Sequence, residues 1–90
     1  MIKMVKRFEL LKGDEIMAFD YSKLRGRIVE KFETQAKFAV AMELSERTIT
    51  CKLRNKIPWK QGEILKAINL LGLDETDIQE YFFKLKVQNF

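Results

Sequence analysis

The segment "ERTITCKLR" (46–54) carries the side chains best suited to recognise another molecule. On a helix, Arg47, Cys51 and Arg54 would project away from its apolar residues, with Thr50 at their flank. An arginine can donate two hydrogen bonds to guanine O6 and N7, and a threonine can bond a base edge or contact a thymine methyl group. The residue set therefore fits the reading of a DNA major groove, although the spacing alone also fits a solvated helix face.

Two short helices are needed to position this surface. Thr34 is a suitable N-cap for the first of them and Ser45 for the second. Their inner faces consist of apolar side chains at helical spacing: Phe38, Ala39 and Met42 on the first, Ile49 and Leu53 on the second. Small residues on the first helix allow a close approach. Two helices meeting at a steep angle, with the second displayed, have the geometry of a helix-turn-helix.

Another helix is predicted before this pair. It begins near Tyr21 with Asp20 or Ser22 as its cap. Its apolar stripe recurs every four residues, with one further aliphatic side chain beside it: Leu24, Ile28 and Phe32, with Val29.

Two more helices are predicted after the pair. The segment "WKQGEILKAINLLG" has an apolar stripe formed by Ile64, Leu65, Ile68 and Leu71. Gly72 stands where this helix is expected to stop, and Asp74 or Thr76 starts a short fifth helix. The following "KLKV" alternates charged and apolar residues, which suits a short strand or an extended arm as well as a helix. The sequence thus predicts an all-α domain of five short helices with a short C-terminal arm.

Composition narrows the classes of function. Ninety residues form one small domain, and a single cysteine with no histidine excludes an internal disulfide, a multi-cysteine zinc site and the commonest general base. No phosphate-cradling glycine loop or apolar pair of carboxylates is visible, so we predict no enzyme, no metal, no cofactor and no small-molecule substrate. No stretch is apolar enough to span a bilayer and no signal peptide is visible, so we predict a cytoplasmic protein without a membrane partner.

Charge is divided unevenly along the chain. Residues 22–60 contain ten Lys and Arg against four acids, a net charge of +6, whereas residues 61–90 contain three against five, a net charge of −2. A basic half beside an acidic half suggests one face that meets phosphate, although ordinary surface variation also explains it.

Residues 1–16 differ from the rest because they have no clear cap and no clean period. Lys12-Gly13-Asp14 can be encoded as AAA GGA GAT, which contains a purine-rich ribosome-binding sequence at a suitable distance before Met17. We therefore interpret residues 1–16 as a translated leader or N-terminal extension and residues 17–90 as the single domain.

The stretch "TQAKFAVAMELSERTITCKL" resembles the helix-turn-helix of the lambda-repressor-like family. Gln35, Ala39, Leu44, Ser45 and Ile49 match the family pattern of a helix-opening Gln, an Ala four residues later and an aliphatic residue in the second helix. The wider stretch 17–90 looks like the small Cro-like regulators of temperate phages of Gram-positive bacteria. This resemblance implies a sequence-specific repressor of a lysis–lysogeny switch that binds double-stranded operator DNA as a homodimer.

Carried over residue by residue, the resemblance implies two sets of DNA contacts. Base edges would be contacted by Glu46, Arg47, Thr50 and Cys51, and the DNA backbone by Thr34, Gln35, Ser45 and Arg54. Four lysines add sequence-independent attraction to phosphate: Lys37, Lys52, Lys56 and Lys60.

Three residues stand out within this motif. Glu43 occupies the turn position where glycine is usual, and a left-handed backbone there costs about 1 kcal/mol. Lys52 occupies the usual place of the apolar anchor, which is shifted to Leu53. Cys51 is either a redox-sensitive thiol or simply a small residue that fits.

A short recognition helix usually relies on two-fold symmetry. Tyr81 and Phe83 cannot both share the inner face of Ile78 and Phe82, so we expect at least one to be exposed and available to a second copy. The candidates for such a dimer interface are Tyr81, Phe83, Leu85 and Val87. The alternative is that all three aromatic residues cover the core. The alternative function is a protein-interaction module, such as an antitoxin or accessory factor.

Overall fold

The computed structural model describes residues 18–86, which form five α-helices joined by short turns. The helices are α1 (Ser22–Phe32), α2 (Gln35–Met42), α3 (Glu46–Leu53), α4 (Gln61–Leu70) and α5 (Ile78–Phe82), with one 3-10 turn at Glu75–Asp77. The prediction of five short helices in an all-α fold is confirmed. The proposed leader, 1–16, and Val87 lie outside the described residues. No helix within residues 18–86 is long and apolar enough to cross a membrane.

The turn between α2 and α3 is fixed by its caps and by one left-handed residue. The Thr34 hydroxyl accepts a hydrogen bond from the Lys37 N–H (3.1 Å), and the Ser45 hydroxyl accepts one from the Thr48 N–H (3.1 Å). Both predicted N-caps are therefore confirmed. Glu43 ends α2 with φ 64°, the left-handed conformation expected at that position.

Replacing Glu43 by glycine is expected to raise the free energy of unfolding by about 0.5–1 kcal/mol, because glycine adopts φ 64° without a clashing Cβ. The ion pair lost with Lys66 is 3.5 Å long and Glu43 is 81% exposed, so its contribution is small. Urea unfolding followed by circular dichroism measures the change. Glu30→Gly, inside α1, is the control and should lower stability by about 1 kcal/mol; equal destabilisation by both substitutions would contradict the strain at Glu43.

The core is formed by the inner faces of all five helices together with Tyr21. Its fully or nearly fully buried members on the helices and their ends are Leu24, Ile28, Phe38, Ala39, Met42, Ile49, Leu53, Ile64, Ala67, Ile68, Leu71 and Phe82. The predicted stripes are confirmed with two exceptions, because Val29 is 55% and Leu65 is 52% exposed. Each follows a buried residue, Ile28 or Ile64, and the helical step of about 100° places its side chain away from the packed side.

The two ends of the described chain pair with each other. Phe19 and Leu85 form an antiparallel bridge, flanked by hydrogen bonds from Asp20 N to Lys84 O (2.7 Å) and from Lys86 N to Ala18 O (3.1 Å). As far as Lys86 the C-terminal arm is therefore extended, which is one of the forms that its alternating pattern allows. The backbone edge of residues 84–86 that faces residues 18–20 is therefore already paired within the chain.

Asn55 attaches the end of α3 to this bridge. Its backbone is left-handed (φ 63°), and its side-chain amide bonds the main chain of Phe19 twice: Oδ1 accepts from Phe19 N (2.8 Å) and Nδ2 donates to Phe19 O (2.9 Å). The loop after α3 and both ends of the described segment 18–86 thus form one hydrogen-bonded unit.

A buried ion pair joins the last turn of α3 to the first turn of α4. Lys52 is only 2% exposed, and its ammonium lies 2.8 Å from Glu63 Oε1 and donates to Pro58 O at 2.9 Å. The same nitrogen lies 5.7 Å from the centre of the Trp59 ring. The expectation that Lys52 contacts a DNA phosphate is therefore wrong, because its charge is enclosed and already paired within the domain.

The Glu63 carboxylate makes stability depend on pH. Burial raises the pKa of Glu63, but hydrogen bonds from the Lys52 ammonium and the Lys60 N–H, together with the positive charges of these two lysines, outweigh it, so the pKa lies below the ordinary value of 4.5. The unfolded chain therefore binds the proton first, and the stabilisation is complete above about pH 4.5 and lost as pH falls through the folded-state pKa.

We expect the urea midpoint to fall more steeply with acid in the wild type than in Glu63→Gln, which cannot titrate there. Unfolding curves recorded from neutral pH into the acid range test this. Parallel pH profiles for the two proteins would contradict the paired carboxylate.

Candidate functional site

The outward side of α3 and the loop after it form the main candidate surface, here called the α3 face. It is a shallow, open depression of about 500 Å³. Its lining residues are Glu46, Arg47, Thr50, Cys51, Arg54 and Lys56. All four side chains predicted to contact bases are among them. The structure thus brings this set together, while contact with DNA stays a prediction.

The α3 face has three cations against one anion. Arg47, Arg54 and Lys56 are exposed, and none forms an ion pair with another described residue. Glu46, at the first position of α3, is exposed beside them. The charged groups are therefore available to an incoming molecule, and they include both signs.

The neutral part of the α3 face is held against α2. The Thr50 hydroxyl donates a long hydrogen bond to Gln35 Oε1 (3.4 Å), which ties the middle of α3 to the first residue of α2. Cys51 is half-buried. Gln35, expected at the DNA backbone, has its side-chain oxygen directed to Thr50 in this structure. This bond adds one polar contact to the apolar packing of α2 against α3.

The other residues predicted to contact the DNA backbone do not line the α3 face. Thr34 and Ser45 are exposed, but their hydroxyls cap α2 and α3. Lys37 forms an ion pair with Glu33 one turn earlier. Lys60 is exposed at the start of α4 and does not line the depression. With Lys52 buried, only Arg54 and Lys56 of the predicted backbone set lie on the α3 face.

A second, polar pocket lies at the C-terminal end of α3, and we call it the α3-end pocket. It has a volume of about 270 Å³. Its polar lining residues are Asp20, Arg25, Arg54, Asn55 and Lys86. Hydrogen bonds from Ser22 lower the pKa of Asp20 below its usual range, and the nearby ammonium groups of Lys84 and Lys86 add to this.

Sequence reasoning missed Arg25, Asn55 and Lys86 as members of a site. One signal was present for Asn55, because asparagine directly after a helix commonly adopts the left-handed conformation that stops it. Arg25 gave none, since it reads as an ordinary polar position of α1. Its guanidinium in fact donates to Leu53 O at the end of α3 (2.8 Å), 28 residues away.

An aromatic groove opens beside the bridge between Phe19 and Leu85. Phe19 and Phe83 meet edge to face at 5.8 Å, and Trp59 meets Phe82 at 5.2 Å. Ile57 is 39% and Phe83 is 40% exposed at its rim. The Trp59 N–H is buried without a hydrogen-bond partner among residues 18–86.

The residues predicted for a dimer interface differ in exposure. Phe83 and Leu85 are exposed, as the expectation of at least one exposed aromatic residue requires. Tyr81 is half-buried, with the Lys23 ammonium 5.3 Å from the centre of its ring. Their role in a dimer stays a prediction.

Comparison with known proteins places the chain in a family. It is similar to the solution structure of the modulator of repression (MOR) of the temperate bacteriophage TP901-1 from Lactococcus lactis. The sequences are 54% identical, the match covers 80% of this chain and 97% of that one, and the TM-score is 0.68. No curated protein matches the chain significantly. A family of proteins of unknown function, DUF739, matches residues 17–85, and the chain belongs to this family.

Proposed function

We propose that this chain regulates transcriptional repression by binding a repressor protein through the α3 face. The observation that carries the proposal is the 54% identity to a phage modulator of repression over four fifths of the chain. The fold contributes an outward-facing helix on which Glu46 and Arg47 are exposed and form no ion pair with another described residue. A regulator of this kind acts by stoichiometric association, and it alters the repressor's affinity for its operator through the coupling of the two binding events.

The charges on the α3 face support a protein as its target. Duplex DNA carries about one negative charge per 1.7 Å of helix axis, so a surface that follows it needs cations and few acids. Glu46 stands on the α3 face, Lys52 is buried, and Lys37 is paired with Glu33. A protein surface offers both signs of charge and can pair with Glu46 and Arg47 together.

Direct binding to operator DNA, as a Cro-like homodimer, is the second candidate function. The observation in its favour is the α2–α3 arrangement, in which both helices are capped and the second displays Arg47 and Thr50. In a helix-turn-helix these positions of the second helix enter the major groove. The exposed Lys56 and Arg54 would then lie within reach of phosphate.

One pair of titrations separates the two candidates. The chain is titrated into the repressor encoded nearest to its own gene, and separately into labelled duplexes from the region upstream of that gene and of scrambled sequence. We expect binding to the repressor, and we expect Arg47→Ala to weaken it about 30-fold, the effect of removing a central arginine contact. Lys31→Ala, on α1 and outside the α3 face, is the matched control and should change nothing.

The opposite pattern would favour the second candidate. Tight binding to the upstream duplex but not to the scrambled one, retained at moderate salt and lost in Arg47→Ala, without repressor binding, would overturn the protein-partner proposal.

A further inference from the structure

We propose that the α3-end pocket binds a carboxylate side chain, an Asp or Glu presented by the protein partner of the α3 face. The inference rests on the proposed function, which it deepens by naming the chemistry of a second contact. Arg54 lines both the α3 face and the α3-end pocket, so one continuous partner surface can reach both.

Unmatched positive charge is the first observation. Three cations line the pocket, namely Arg25, Arg54 and Lys86, and Asp20 is its one acid. None of the three cations forms an ion pair with another described residue, whereas five other Lys and Arg side chains of residues 18–86 do. One oxygen of the Asp20 carboxylate, Oδ1, accepts both the Ser22 N–H (3.0 Å) and the Ser22 hydroxyl (2.7 Å). This single carboxylate stands against three cations, so the pocket keeps an excess of positive charge.

Several hydrogen bonds hold residues that line the pocket in place before any ligand binds. Arg25 is half-buried and uses Nη2 on Leu53 O, which leaves its other N–H groups to a ligand. Asn55 holds the main chain of Phe19 on both sides, and the Lys86 N–H holds Ala18 O. A guanidinium whose position is already set loses little freedom on binding, and its planar fork matches a carboxylate.

The acids around the pocket favour an isolated carboxylate over a nucleic-acid backbone. Asp20 lines the α3-end pocket, and Glu46 lies at the opposite end of α3. Asp20 repels a carboxylate and a phosphate alike, but a continuous phosphate chain that ran along α3 would also pass Glu46 and be repelled there. A single carboxylate from a protein needs only the local group of cations.

The pocket can be tested on the free chain by NMR, with acetate as the carboxylate probe and chloride replaced to keep ionic strength constant. We expect saturable shifts at the Arg25 and Arg54 side-chain N–H signals and at the Lys86 amide. Lys86→Gln should weaken acetate binding about threefold, a typical size for one exposed charge, and Lys84→Gln, two residues away and outside the lining, should weaken it less. Asp20→Asn keeps a side-chain oxygen for Ser22 and should strengthen binding. Unsaturable shifts, or shifts equal in all variants, would overturn the proposal.

Titration of the same variants into the repressor distinguishes a failure of the α3-end pocket from a failure of the proposed function. Weaker repressor binding by Lys86→Gln than by Lys84→Gln supports the pocket. If repressor binding depends on Arg47 but is equal in Lys86→Gln and Lys84→Gln, the carboxylate proposal for the pocket fails and the proposed function stands. No repressor binding by the wild type overturns the proposed function and the partner carboxylate with it. Tighter and Lys86-dependent binding of the upstream duplex overturns the carboxylate in favour of phosphate.

Discussion

Replacing Lys52 by alanine is expected to lower the free energy of unfolding by about 3 kcal/mol, a large part of the stability of a domain this small. The substitution leaves the Glu63 carboxylate, 18% exposed, without the ammonium that lies 2.8 Å away. It also leaves Pro58 O without its donor and empties the space beside the Trp59 ring. Urea unfolding followed by far-ultraviolet circular dichroism measures the loss.

Two further variants establish that the loss comes from the unpaired carboxylate. Lys60→Ala removes an exposed lysine of the next loop and should change stability by no more than about 0.5 kcal/mol. Lys52→Met/Glu63→Leu replaces both charges by apolar groups and should recover most of the stability. A loss as small as that of Lys60→Ala would show that Lys52 is not buried as described.

Replacing Phe38 by alanine is expected to lower the free energy of unfolding by about 4 kcal/mol. Phe38 is fully buried on the inner side of α2, and its ring meets Phe32 of α1 at 5.4 Å. Removal of the Phe38 ring opens a cavity between α1 and α2, and α2 supports α3. Thermal and urea unfolding should therefore show a domain that is only marginally folded.

Phe83→Ala is the control for this prediction. Phe83 is the same residue type but 40% exposed, so its removal should cost less than half as much. Equal losses for the two phenylalanines would contradict a core centred on the inner faces of the helices.

Sequence patterns predict the helices of this domain well because their causes are local. Thr34 and Ser45 cap α2 and α3 through N–H groups three residues ahead. Leu24 and Ile28 are buried because their spacing matches the helical repeat. Glu43 was recognisable from its position in the turn, since the chain must reverse there.

The wrong or missing predictions concern residues whose surroundings come from other parts of the chain. Lys52 reads as a solvated lysine, and only the path of the chain between α3 and α4 brings Glu63 to its ammonium. Val29 and Leu65 are apolar, but which side of a helix a neighbour covers is decided by tertiary packing. Asn55 bonds Phe19 across 36 residues, so the α3-end pocket has no local signature.

The chemistry of the α3 face was predictable, but its target was not. Helical spacing sufficed to place Arg47, Thr50 and Cys51 on the outward side. A guanidinium that can bond guanine can also bond a carboxylate, and so the same side chains suit DNA and protein. A helix-turn-helix geometry alone therefore does not decide between them.

The most direct test of the central claim is an NMR map of the isotope-labelled chain on addition of the unlabelled repressor. We predict that the largest amide shifts fall on α3 and the loop after it, from Glu46 to Lys56, and continue to Lys86. Shifts confined to the aromatic groove around Trp59 and Phe83, with α3 unaffected, would contradict recognition through the α3 face.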